Sequence, residues 1–140
     1  MKAAITLITR QTDNGDTQET RMEAAGLLLE RGGEVSLRYI EPKTEDGTGA
    51  SVRVTLDGAR AMMERTGPIT ALMPLECGRE QVWHYDTPYG KMKFLVRCTE
   101  LCNEMTANGG RFFAAYTVDT AGSTEGMACT MEFLVKEVQE

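Results

Sequence analysis

The chain is poor in the residues from which most recognisable sites are built. It has one histidine, His84, and only four prolines in 140 residues. The four cysteines, Cys77, Cys98, Cys102 and Cys129, form no CxxC pair and no two-pair spacing, which excludes the common zinc and dithiol motifs. Nothing like a signal peptide stands at Met1 to Ile5, so free thiols in a reducing cytoplasm are the expectation. The longest apolar runs, such as Ala24 to Leu29, are too short to span a bilayer, so no membrane partner is expected. Positive charge is also short: a net charge of −6 and a pI near 4.9 argue against nucleic acid, whose affinity rests on clustered Lys and Arg. No nucleophile with a base, metal set or carboxylate pair stands out, so an enzyme has the least support and no cofactor is implied.

Glycine, by contrast, is frequent, with 14 residues. Short alternating runs separated by turn residues return roughly every 8 to 12 positions, the spacing of a sandwich or barrel. Asp57 to Arg65 could be read with a helical period, but Asp57-Gly58 suits a two-residue type I′ hairpin turn. That turn sets Leu56 opposite Ala59, Val54 opposite Ala61 and Val52 opposite Met63. Gly32-Gly33 likewise sets Leu28 opposite Leu37 and Gly26 opposite Tyr39. Further turns are expected at Thr66-Gly67-Pro68, Cys77-Gly78, Thr87 to Gly90, Asn108-Gly109-Gly110 and Thr120-Ala121-Gly122. With sequence neighbours pairing as hairpins, closure removes the exposed edges. The chain is therefore expected to be all-β, one domain over 1–140, a single antiparallel meander barrel of about 8–10 strands.

The hairpins around His84 suggest where a site lies. Pro88 suits the second position of a type I turn, and Gly90 an αL position closing a three-residue loop. On that register His84 faces Phe94, Val82 faces Val96 and Asp86 faces Met92. A two-residue turn at Cys77-Gly78 sets Met73 opposite Val82 and Ala71 opposite His84. Both hairpins then turn His84 toward the apolar interior, with Ala71, Met73, Phe94 and Val96, and leave Leu72, Trp83, Leu95 and Arg97 outside. An inward imidazole can anchor a ligand, with Asp86 orienting it, or can be a structural residue bonded to a neighbouring strand. The last hairpin adds Phe112, Ala114, Tyr116 and Val118, then Met127, Cys129, Met131, Phe133 and Val135, as its inward rows. Cys98 and Cys102 fall on one strand face, roughly 13 Å apart, too far for a disulfide. Nine methionines suit either a soft core or an adaptable cavity.

From His84 to Gly90 (HYDTPYG), through KMKFLVRCTELCNEM and NGGRFFAAYTVDTAG, the chain resembles the DUF1934 family of small bacterial proteins. The resemblance extends over nearly the whole chain, and Tyr85 to Gly90 is its most specific segment. It implies a calycin-like, lipocalin-like barrel. It brings no activity and no catalytic residue, only an analogy to small-molecule binding.

Two functions are therefore carried forward. One is binding of a small, largely apolar molecule inside the barrel, with His84, Phe94, Tyr116 and Arg97 as contacts. The other is a homodimeric or protein-binding module that uses an outer apolar patch of Leu72, Trp83 and Leu95.

Overall fold

The computed structural model describes all residues except Asn14, 42–48, 120–125 and 139–140, so the turn expected at Thr120-Ala121-Gly122 lies outside the described residues. Ten strands follow one another: β1 Lys2–Asp13, β2 Asp16–Arg31, β3 Glu34–Ile40, β4 Ser51–Asp57, β5 Arg60–Thr66, β6 Thr70–Glu76, β7 Glu80–Thr87, β8 Gly90–Thr106, β9 Gly109–Asp119 and β10 Met127–Glu137. Each pairs antiparallel with its sequence neighbours, and β1 pairs with β10 to close a barrel. The all-β meander read from the turn spacing is thus what the chain forms. Alternation puts Val52, Val54, Leu56, Ala114, Phe133 and Val135 inside. It leaves Arg–Glu pairs outside, among them Arg10–Glu19 and Arg111–Glu132.

The Gly32-Gly33 turn behaves as expected, with both glycines at positive φ (61° and 89°), Leu28 opposite Leu37 and Gly26 opposite Tyr39. At the next hairpin the loop is Gly58-Ala59 rather than Asp57-Gly58, with Asp57 opposite Arg60. Gly58, at the first loop position, has a positive φ of 58°, which the primed hairpin turns require and glycine readily adopts. Leu56 therefore meets Ala61 and Val54 meets Met63. The slip is two residues, so the dry face stays dry.

At β7 the slip is one residue, and every side chain changes face. The loop is the pair Pro88-Tyr89, with Thr87 opposite Gly90, so Trp83 faces Phe94, His84 faces Lys93 and Tyr85 faces Met92. On the other side Ala71 meets Tyr85 and Leu72 meets His84. Trp83 is buried at 5% exposure, whereas His84 is exposed on the outer wall. This overturns the inward His84 and removes Trp83 from the outer patch, leaving Leu72 and Leu95 there. Three side-chain bonds explain the register. The Thr87 hydroxyl accepts from the Tyr89 amide at 3.1 Å and donates to the Gly90 carbonyl at 2.7 Å, holding the short loop. The Trp83 indole N–H, which needs an acceptor once buried, donates to the Pro74 carbonyl at 2.8 Å. Pro74 has no N–H to give a ladder, and the β6–β7 pairing covers only Thr70 to Leu72.

Gly90 has φ 125°, positive as expected but not at the αL value. An L side chain is disfavoured there even though nothing lies within 4 Å of a built Cβ. Gly90→Ala is therefore expected to destabilise by about 1 kcal/mol through backbone strain alone. An unchanged or raised melting temperature would count against this loop.

β8 carries a bulge at Thr99, between the Cys98–Tyr116 and Glu100–Ala115 pairs. The extra residue reverses the face of every later position on the strand, so Leu101 and Met105 pack on the core and Cys102 turns to Glu104 outside. Cys98 and Cys102 thus lie on opposite faces, correcting the expectation that they share one.

Candidate functional site

The two halves of the barrel are filled differently. At the end with the Gly32-Gly33 and Gly58-Ala59 loops, Leu28, Leu37, Leu56, Leu75, Phe112 and Phe133 are fully buried and close the interior. Asn103 on β8 spans this end, its amide donating to the Gly58 carbonyl at 3.1 Å. Toward the opposite end, where β7 runs into β8, the side chains leave space between them. A cavity of about 480 Å³ lies there.

Its wall is largely aromatic and sulfur-containing. β7 contributes Trp83, Tyr85 and Thr87, and β8 contributes Met92 and Phe94. β9 and β10 add Tyr116, Val118, Met127 and Cys129, while Ile69 and, from β1, Gln11 and Asp13 complete the lining. The rings meet at steep angles: Trp83 and Tyr116 have centroids 5.1 Å apart at 49°, and Tyr85 and Phe94 are 5.2 Å apart at 86°. Such tilted and edge-to-face contacts suit aromatic quadrupoles.

Most hydrogen-bond donors around the cavity are committed to the protein. The Trp83 N–H is taken by Pro74, and the Tyr85 hydroxyl donates to Met73 Sδ at 3.3 Å. The Thr87 hydroxyl is held by its loop, and the Cys129 thiol points at the Met127 carbonyl at 3.8 Å. Burial raises the Tyr85 and Tyr116 phenols above the usual range, so both are neutral O–H groups near pH 7. Among the described residues, Asp13 is the only charged one in the lining. Arg65, whose charge is felt at Tyr85 and Tyr39, is paired with Glu41 at 2.7 Å.

Of the residues expected to make a site, Phe94 and Tyr116 line this cavity together. His84 lies outside it, on the outer wall beside Leu72 and Lys93. Arg97 is also outside, bonded to Glu80 at 2.7 Å. Neither can touch a ligand within the barrel. The residues missed, Trp83 and Tyr85, were hidden by the same one-residue slip. The signal that could have found them was the need of a lone tryptophan for a buried acceptor.

None of the four cysteines is in a disulfide; Cys77 is exposed, Cys102 half-buried, and Cys98 and Cys129 are buried. Burial pushes the Cys129 thiol up to about 11 and also raises that of Cys98. In the native protein, a thiol reagent at neutral pH should therefore modify Cys77 first and Cys98 and Cys129 last, with all four reacting after unfolding. Modification of Cys129 as fast as Cys77 would contradict the burial of its thiol. Among the described residues no three His, Cys, Asp or Glu side chains gather as a metal site, and no helix is long and apolar enough to cross a membrane.

Comparison with known proteins bears on the fold and the family. A crystal structure of the ywiB protein from Bacillus subtilis superposes with a TM-score of 0.87 over 99% of this chain and 92% of that one. The two are 14% identical, so the likeness concerns the fold. No curated protein matches the sequence. The family described as a domain of unknown function, DUF1934, matches residues 5–131, nearly the full length of the barrel, and the chain belongs to that family.

Proposed function

We propose that the chain binds a small, mainly apolar molecule in the cavity at the β7–β8 end of the barrel. The observation that carries this reading is the uneven filling: one half of the interior is packed solid, while the other retains about 480 Å³. That volume lies within the roughly 300–1,000 Å³ of small-molecule pockets. Phe94, Trp83 and Met92 supply apolar contact, and the Tyr116 hydroxyl replaces His84 as the polar contact that fixes orientation. The calycin-like meander supports the reading by analogy only. A cytoplasmic setting in a bacterium goes with the four unbridged thiols.

A thermal-shift screen of neutral, cationic and anionic aromatic and aliphatic compounds tests it. A ligand at 100 times its dissociation constant should add about 2.7 kcal/mol to stability. Trp83, the only tryptophan, lines the cavity and should report occupancy by fluorescence. Val118→Trp, which fills the space, should abolish both responses. If no compound shifts the wild type, the reading fails.

A second reading, self-association, is favoured by one observation. β2 pairs with β3 only from Gly26 to Arg31, and among the described residues no strand pairs with 16–25 on the side away from β1. An unpaired strand edge is a template for another chain. Antiparallel pairing of two copies about Thr20 would set Glu19 of each opposite Arg21 of the other. Sedimentation at tens of micromolar should then show a dimer that Arg21→Glu dissociates. A monomer at that concentration would remove this reading.

A further inference from the structure

A small apolar ligand leaves its charge open, but the cavity lining does not. Resting on the binding proposed above, we propose that the ligand is an organic cation, an aryl- or alkylammonium whose charged head lies among the rings of Trp83, Tyr85, Phe94 and Tyr116.

Three features of the wall converge on this. The first is ring geometry. The Tyr85–Phe94 pair is edge-to-face and the Trp83–Tyr116 pair is splayed at 49°. An edge-to-face pair consumes the face of only one ring, and a splayed pair does not bury its faces against each other. Ring faces carry the negative end of the quadrupole and attract cations within about 6 Å of the centroid. The second feature is formal charge. Among the described residues, Asp13 is the only charged one in the lining, and no Lys or Arg lines the cavity. The guanidinium felt at Tyr85, that of Arg65, is paired with Glu41.

The third feature is donor supply. A bound carboxylate or phosphate needs N–H or O–H donors to replace its water. The donors of Trp83, Tyr85, Thr87 and Cys129 are all aimed at protein acceptors. What remains is lone pairs on Tyr85 and Thr87, the Tyr116 hydroxyl and the Gln11 amide. An ammonium finds acceptors and ring faces here, whereas the donors left to an anion among the described residues are only the Tyr116 hydroxyl and the Gln11 amide. The chain's net charge of −6 favours the approach of a cation from solution.

The test uses three probes that share a benzyl group: benzyltrimethylammonium, its neutral carbon isostere neopentylbenzene, and the anion phenylacetate. Each is titrated into the full chain and followed by Trp83 fluorescence and thermal shift. The cation should bind about tenfold more tightly than the neutral isostere, and phenylacetate should not bind measurably. Asp13→Asn should narrow the gap between cation and isostere while leaving neopentylbenzene binding within about twofold, and Phe94→Leu should weaken the cation several-fold more than neopentylbenzene. Equal or tighter binding of the isostere, or binding of phenylacetate, would overturn the cation assignment and leave the cavity reading standing. Failure of all three probes to bind would overturn the cation assignment. If the broad screen were also silent, the cavity reading would fall with it.

Discussion

Phe133→Ala is expected to lower the stability of the barrel by about 3–5 kcal/mol, a fall in melting temperature of about 10–20 °C. Phe133 is at 0% exposure on β10, opposite Phe112 on β9 and Leu7 on β1. Its ring also lies 6.4 Å from Tyr39, which reaches in from β3. It therefore links opposite walls of the packed half. Truncation would leave a void lined by side chains already held on strands, which cannot collapse to fill it. Phe94→Ala makes the informative control, because Phe94 is only half-buried and borders space that is already empty. Its loss should cost about half as much, since little new cavity is created. Equal losses at the two positions would mean that the two halves are packed alike.

Gly26→Ala is expected to cost about 3 kcal/mol although it adds a single methyl group. A Cβ there would lie 2.3 Å from the Arg38 carbonyl and 2.7 Å from Ile5 Cδ1. The isoleucine tip could rotate away, but the carbonyl belongs to the neighbouring strand's backbone and can move only if β2 and β3 separate. Their seam is six residue pairs long and Gly26–Tyr39 is its last pair. Urea unfolding of Gly26→Ala beside Ala25→Gly, on the outer face of the same strand, would show whether the effect comes from this close approach. A Gly26→Ala variant as stable as the wild type would contradict the tight seam.

Where the sequence was informative, the reason was local and steric. Two glycines in a row admit one good hairpin turn, and the β2–β3 register followed from them. Along β9 and β10, long alternation allowed only one inward face, and Phe112, Tyr116, Met131 and Phe133 were legible. The misplacements have equally local causes. At Thr87 to Gly90 a proline and a glycine fit both a two- and a three-residue loop, and apolar patterning on β7 did not choose, because Val82 and Trp83 are adjacent. The choice was made by the Thr87 hydroxyl and by the Trp83–Pro74 bond. The bulge at Thr99 has no glycine or proline to announce it, so the faces of Cys98 and Cys102 could not be separated. The cavity wall was thus half visible: Phe94 and Tyr116 lay on well-determined rows, while Trp83 and Tyr85 lay on the row that flipped.

The order in which the strands are joined constrains how the chain reaches this structure. Nine of the ten seams connect strands consecutive in sequence, so each can form as a hairpin by closing a short loop. The β1–β10 seam alone, running from Ala3–Glu137 to Thr12–Ala128, joins residues more than a hundred positions apart. Its loop-closure entropy favours its formation last, after an open, curled sheet has assembled with β1 and β10 as bare edges. A substitution at a residue that pairs only across that seam, such as Glu137→Gly opposite Ala3, should then leave the refolding rate nearly unchanged and accelerate unfolding. The open sheet, rather than the closed barrel, would be the species most prone to aggregate during refolding.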